Sequence, residues 1–167
     1  MKKTIWFDMD GTLYDLYRIP EWLMLLENRR WEVFNLPGFE RSHIYRIRAA
    51  IQALKKAGWT VGVITWAPIG VQWKTKDLED VSDVKYCWLE ENIPELADTD
   101  TPFACIPYGE SKAQFLLDME SAFGVNYLVD DNKEVRRDWR EHSFPGGTFK
   151  TINASRSYYK ELEGLVM

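Results

Sequence analysis

Near its N-terminus the chain runs Thr4-Ile5-Trp6-Phe7-Asp8-Met9-Asp10-Gly11-Thr12. Four β-branched or aromatic residues make an apolar run too short for a helix, and two aspartates and a glycine break it at once. Near-continuous apolarity, without polar alternation, is what a parallel strand covered on both faces requires. The pattern recurs down the chain. Thr60-Val61-Gly62-Val63-Ile64 runs into Thr65, and Phe103-Ala104-Cys105-Ile106 is followed by Lys112. Asn126-Tyr127-Leu128-Val129 runs into Asp130-Asp131, and a weaker fifth run covers 148–152.

Between these runs lie helical patterns. The stretch 42–57 places Ile44, Ile47, Ile51 and Leu54 on one face, with Ser42 as cap and Gly58 as stop. The stretch 77–91 carries Leu78, Val81, Val84, Trp88 and Leu89. The stretch 110–123 carries Phe115, Leu116, Met119 and Phe123, with Gly124 to end it, and 133–142 reads as a short polar helix. Trp73, Trp88 and Trp139 fit helix faces packed on a sheet, while His43 and His142 read as helix-surface residues. Strands alternating with helices predict an α/β fold, a doubly wound, Rossmann-like parallel sheet, in one domain over 1–167.

One connection is too long for a plain crossover of ~30 residues, because 57 positions separate Asp8 from Thr65. The excess holds a short helical pattern over 20–27, with Pro20 in its first turn, and Pro37-Gly38 marks the return. This predicts a small helical cap over about 14–37, above the carboxyl edge of the sheet, where open α/β folds keep their ligand site.

Composition narrows the function. The chain has 167 residues, 46% hydrophobic and 28% charged, which excludes collagen-like and wholly disordered classes. A net charge of −5 and only short basic dipeptides argue against binding polymeric nucleic acid or an anionic membrane. Two cysteines make neither a disulfide framework nor a metal cluster. Asp8 and Asp10 interrupt any signal-peptide core, and no apolar run approaches a membrane span, so the expected location is the cytoplasm.

If the strands are parallel, Asp8, Asp10, Thr65, Lys112, Asp130 and Asp131 gather at one edge. A turn at 9–11, which Gly11 permits, swings Asp10 towards the same spot as Asp8. One carboxylate can then attack phosphorus while the other moves a proton to the leaving oxygen. A calcium loop is the competing reading of Asp-x-Asp-Gly, but Leu13 and Tyr14 stand where more oxygen ligands are wanted. Asp130-Asp131 alone reads equally well as a helix start. Four carboxylates in one cleft repel by about 4 kcal/mol per close pair at an effective dielectric of 20. A cation has to offset this, and oxygen-only donors favour Mg²⁺. Lys112 fits a role beside Asp8 and a phosphate, and Thr65, with the backbone after its strand, fits a phosphate oxygen.

In these residues the chain resembles the haloacid-dehalogenase-like hydrolases. Residues 5–13 resemble the first motif of that superfamily, Val63-Ile64-Thr65 the second, Lys112 the third and Leu128-Val129-Asp130-Asp131 the fourth. The resemblance implies a nucleophile at Asp8 and a general acid/base at Asp10. It also implies Mg²⁺ held by Asp8, the Asp10 carbonyl and Asp130, with Asp131 acting through water. Within the superfamily, Lys85-Tyr86-Cys87-Trp88-Leu89-Glu90-Glu91-Asn92 and the Val-Asp-Asp of the fourth motif are similar to the 5′(3′)-deoxyribonucleotidase group. Trp66 stands where that group commonly has Ser, and Glu110 where it favours a basic residue. The expected function is a Mg²⁺-dependent phosphatase for a small phosphorylated metabolite, foremost a nucleoside monophosphate, with Trp22 and Trp66 stacking on the base. Trp31 and Phe34 are expected near the same site, although for any one of these rings, Trp22 and Phe34 foremost, packing between two short cap helices is the favoured reading. The competing readings are a nucleic-acid end phosphatase and a non-catalytic binding module on the same fold.

Overall fold

The structure, a computed structural model, describes residues 1–70, 75–154 and 157–166. Among them five strands form one sheet: β1 (Lys3–Phe7), β2 (Thr60–Trp66), β3 (Phe103–Ile106), β4 (Gly124–Asp130) and β5 (Gly147–Asn153). Their order is β3-β2-β1-β4-β5, and every neighbouring pair is parallel. Helices α1 (Trp22–Glu27), α2 (Ile44–Lys56), α3 (Lys76–Asn92), α4 (Lys112–Asp118), α5 (Lys133–Glu141) and α6 (Tyr159–Gly164) complete an α/β doubly wound fold.

Alternation along β1 serves both faces of the sheet. Ile5 and Phe7 join Ile51, Leu54, Val61, Val63, Trp88 and Leu89 in one core cluster. Trp6 joins Ile64, Leu116, Leu128, Val135 and Trp139 in the other. Trp88 and Trp139 are thus buried between helix and sheet, and Trp73 lies outside the described residues. From central β1 the chain first winds outward through β2 and β3, then crosses to β4 and β5. The direction of winding reverses at β1, so the ends of β2, β1 and β4 form the crevice that such sheets offer to ligands.

Some boundaries differ from the sequence expectation. Helix α4 stops at Asp118 rather than running to 123, because the chain turns left-handed at Glu120 (φ 53°). Gly124 does not end that helix; it opens β4 with φ 98°, and a Cβ there would collide with the Lys2 carbonyl oxygen. Helix α2 starts after a left-handed His43 with no side-chain cap, so Ser42 does not cap it. Pro20 precedes the cap residue Glu21 of α1 and lies outside its first turn. Strand β2 continues to Trp66, which places Thr65 inside the strand rather than in the loop beyond it.

The segment between β1 and α2 folds as a 3₁₀ turn (Leu16–Arg18), α1, and a second 3₁₀ turn (Trp31–Asn35). Helix α1 has no fully buried residue, whereas the second turn buries Val33 and Phe34. Tyr14 anchors that turn: its hydroxyl donates to the Val33 carbonyl at 2.6 Å and accepts from the Leu36 N–H at 3.1 Å. No helix among the described residues is long and apolar enough to cross a membrane.

Candidate active site

Asp8 leaves the end of β1 and is buried. The chain then turns tightly: the N–H groups of Thr12, Leu13 and Tyr14 all donate to the Met9 carbonyl, and Gly11 N–H donates to the Tyr14 carbonyl. Gly11 sits at φ 79°, and any Cβ there would strike the Asp131 carboxylate and the Tyr17 ring. The turn therefore needs glycine for its backbone and for the space that brings Asp131 in.

Lys112 is the first residue of α4, whose N-cap Ser111 accepts from Gln114 N–H. Its ammonium is buried and donates to Asp8 Oδ1 at 2.6 Å and to Asp130 Oδ2 at 2.8 Å. Asp130 closes β4, and its Oδ1 accepts from Asn132 N–H at 2.8 Å. The cap of α5 is Asn132, which accepts from Glu134 and Val135, so neither aspartate of the pair serves as the helix cap. One carboxylate oxygen from each of Asp8, Asp130 and Asp131 lies within 4.8 Å of the other two.

Asp10 is held separately. Its Oδ2 accepts from Lys85 Nζ at 2.7 Å, and its buried Oδ1 has no hydrogen-bond partner. Lys85, 0% exposed, also donates to Thr65 Oγ1 at 3.0 Å and to the Trp66 carbonyl at 2.7 Å. Thr65 is fully buried, so its hydroxyl meets a lysine of the protein, and the next loop N–H, that of Ala67, is taken by the Ile106 carbonyl.

Burial, opposed by Lys112 and reinforced by Asp130 and Asp10, lifts the Asp8 carboxyl to about 7. Burial and the Asp130 charge lift Asp131 to about 6. Burial works against the Lys112 charge, but Asp130 and Asp8 outweigh it and hold the ammonium above the usual lysine range. Four carboxyl groups thus face two buried ammonium groups, and negative charge is in excess once Asp8 and Asp131 ionise. A hard divalent cation on Asp8, Asp130 and Asp131 fits both that excess and the oxygen-only donors, and Mg²⁺ is such an ion.

These groups form the floor of a cavity of about 330 Å³. Leu16, Tyr17, Trp22, Leu23, Leu26, Glu27 and Phe34 come to it from the segment after β1, Trp66 from the end of β2, and Ile69 and Tyr108 from the loops after β2 and β3. Trp22 packs edge-on against Tyr17, ring centroids 5.3 Å apart. Trp66 is tethered: its indole N–H donates to the Glu110 carbonyl at 2.9 Å, and its ring meets Tyr108 at 4.9 Å. The structure therefore brings Asp8, Asp10, Lys112, Asp130, Asp131, Trp22 and Trp66 to one cavity, with Thr65 behind it. Trp31 lines a neighbouring hollow with Arg29 and Asp77, and Phe34 is a core ring with one edge at the cavity.

Lys85 is a site residue that sequence reading missed. Helix α3 buries Leu78, Val81, Lys85, Trp88 and Leu89, with Val84 partly buried against the same core, so a lysine lies within its apolar stripe. A charged residue spaced three and four from core positions was the available signal. Tyr17 and Tyr108 were missed as well, because neither stands in an apolar pattern.

No family model matches the chain, and no curated protein matches it. Among solved structures, it is similar to the crystal structure of D,D-heptose 1.7-bisphosphate phosphatase from B. bronchiseptica complexed with magnesium and phosphate. That likeness has 15% sequence identity and a TM-score of 0.47, over 97% of this chain and 99% of that one.

Proposed function

We propose that this protein is a Mg²⁺-dependent phosphomonoesterase of the haloacid-dehalogenase-like kind, working through a phosphoaspartate at Asp8. The observation that carries this reading is the pairing of two differently held carboxylates at one cavity floor: Asp8 on Lys112, and Asp10 on Lys85 with one oxygen unpartnered. With Oδ1 on Lys112, Asp8 keeps Oδ2 for attack on phosphorus as the bond to the leaving oxygen breaks. Asp10 gives that oxygen its proton. It then takes a proton from the water that attacks the phosphoaspartate, releasing inorganic phosphate and restoring Asp8. Lys112 stabilises charge beside Asp8 in both steps. Asp8, Asp130, Asp131 and the Asp10 carbonyl would hold Mg²⁺, which when bound supplies charge neutralisation at the phosphoryl oxygens.

For the substrate we propose a nucleoside monophosphate. Two aromatic pairs lining the cavity, Tyr17 with Trp22 from one segment and Trp66 with Tyr108 from others, support a flat leaving group. Among the described residues, Lys112 is the one cationic side chain lining the cavity, and it is already paired with two carboxylates, which favours a substrate with a single phosphate over a polynucleotide end. A cap role for residues 14–37 belongs to the same proposal. The test is a panel of phosphate monoesters assayed with Mg²⁺ and with EDTA. Metal-dependent turnover, fastest on nucleoside monophosphates, is expected, and absence of turnover on every ester would end the reading.

A further inference from the structure

We infer that Lys85 is the positioning residue for Asp10: it pins Oδ2 so that Oδ1 is the oxygen that exchanges a proton with the leaving group and with water. Oδ1's part as proton carrier rests on the phosphomonoesterase reading above, whereas its fixed orientation does not.

The argument begins with where the ammonium is anchored. A buried ammonium is tolerable only when all its donors are satisfied. Lys85 has three N–H donors and meets three oxygens: Asp10 Oδ2, Thr65 Oγ1 and the Trp66 carbonyl. Phe34 lies against it as well, its ring centroid 4.4 Å from Nζ. Two of the three oxygens belong to β2: one is a backbone carbonyl, and the other sits on a β-branched side chain with few rotamers. Nζ is therefore fixed relative to the sheet before Asp10 is considered.

Asp10 has no such anchorage of its own. It follows the strand, in the turn around the Met9 carbonyl, and the terminal torsion of an aspartate is broad. One strong, charge-assisted contact to an immobile donor selects its orientation. Oδ1 is left buried, without a partner, on a residue that lines the cavity. The two lysines thus divide the work. Lys112 serves the nucleophile and Asp130, while Lys85 serves Asp10 and touches neither Asp8 nor the three-carboxylate cluster.

The test uses Lys85→Met, which keeps the apolar stem, with Asp10→Asn and the double variant, all assayed with Mg²⁺. The value of kcat/KM reports formation of the phosphoaspartate. An alkyl phosphate needs a proton on its leaving oxygen in that step, and p-nitrophenyl phosphate does not. Lys85→Met should lower kcat/KM for the alkyl ester about 10²-fold or more, with a loss at least ~10-fold smaller on the aryl ester. In the Asp10→Asn background it should bring little further loss on the alkyl ester. Equal losses on both esters, or a full further loss in that background, would overturn the inference. A crystal structure of metal-free Lys85→Met should show the Asp10 carboxylate displaced or in several orientations, and an unmoved carboxylate overturns it whatever the activity. If the wild-type protein hydrolyses neither ester, the phosphomonoesterase reading fails, and that crystal structure still decides what Lys85 does to Asp10. Should Lys85→Met not fold, Lys85→Gln, which keeps a short donor, carries the same measurements.

Discussion

Lys112 Nζ stands 2.6 Å from Asp8 Oδ1 and ties the first turn of α4 to the end of β1 across 104 positions of sequence. Both groups are buried, so the pair is little screened by salt, and because Lys112 also meets Asp130 at 2.8 Å it keeps a counter-charge when the Asp8 charge is removed.

Replacing Asp8 by Asn keeps shape and removes the attacking charge. Turnover on the best ester should fall by at least ~10³, with the circular-dichroism spectrum unchanged. Near-normal turnover in a clean Asp8→Asn preparation would remove Asp8 as nucleophile.

The raised carboxyls of Asp8 and Asp131 set a pH dependence for the metal-free protein. Between about 4, the unfolded value for aspartate, and about 7 or 6 in the folded protein, the folded state holds protons that the unfolded state has lost. Their contribution therefore favours folding below the unfolded value and is lost as the pH rises through the folded one. Asp8→Asn removes the larger part of it. The variant should melt about 2–4 °C above wild type at pH 8 without metal, and the gap should close towards pH 4. Added Mg²⁺ should raise the wild type at pH 8 and narrow the difference. Thermal melts across that range, with and without EDTA, measure all three.

Asp130 and Asp131 should part company. Asp130 holds Lys112 and the Asn132 N–H, so Asp130→Ala should lower stability by about 2–4 kcal/mol even without metal. Asp131 carries a raised carboxyl beside Asp130, and Asp131→Ala relieves that repulsion and should leave metal-free stability level or higher. Both changes should raise the Mg²⁺ concentration needed for half-maximal turnover, Asp130→Ala the more. Urea titration of the apoproteins and a metal titration of activity separate the two effects.

For the aromatic walls, Trp22→Ala should lower kcat/KM on nucleoside monophosphates by ~10–100-fold, with little change on a small sugar phosphate. Trp66→Ala should cut both. Its ring lies 5.4 Å from Lys112 Nζ and its N–H holds the Glu110 carbonyl, so the phosphate end of the cavity is disturbed as well. Equal losses on both substrates for Trp22→Ala would make that ring a packing element.

What the sequence determined by itself was local. Apolar runs at 4–7, 60–64, 103–106 and 126–129 are strands because no helix can form in so few residues without a polar face, and their unbroken apolarity demands cover on both sides. Parallel strands place their ends together, so Asp8, Asp10, Lys112, Asp130 and Asp131 were readable as neighbours before any contact was known. Only the tertiary structure decided which ammonium meets which carboxylate. Adjacent helix positions differ by about 100° in direction, and the pattern that set Val84 against the core, where it is partly buried, did not show that packing of α3 buries Lys85 beside it. The helix expected to run to 123 ends at Asp118, where the chain turns left-handed at Glu120, and Gly124 instead lets β4 pass the Lys2 carbonyl, a constraint set by a strand pairing and invisible in the local sequence. The aromatic walls, too, are joined from segments distant in sequence, and their convergence on one cavity follows from where the sheet reverses its winding, which no local pattern encodes.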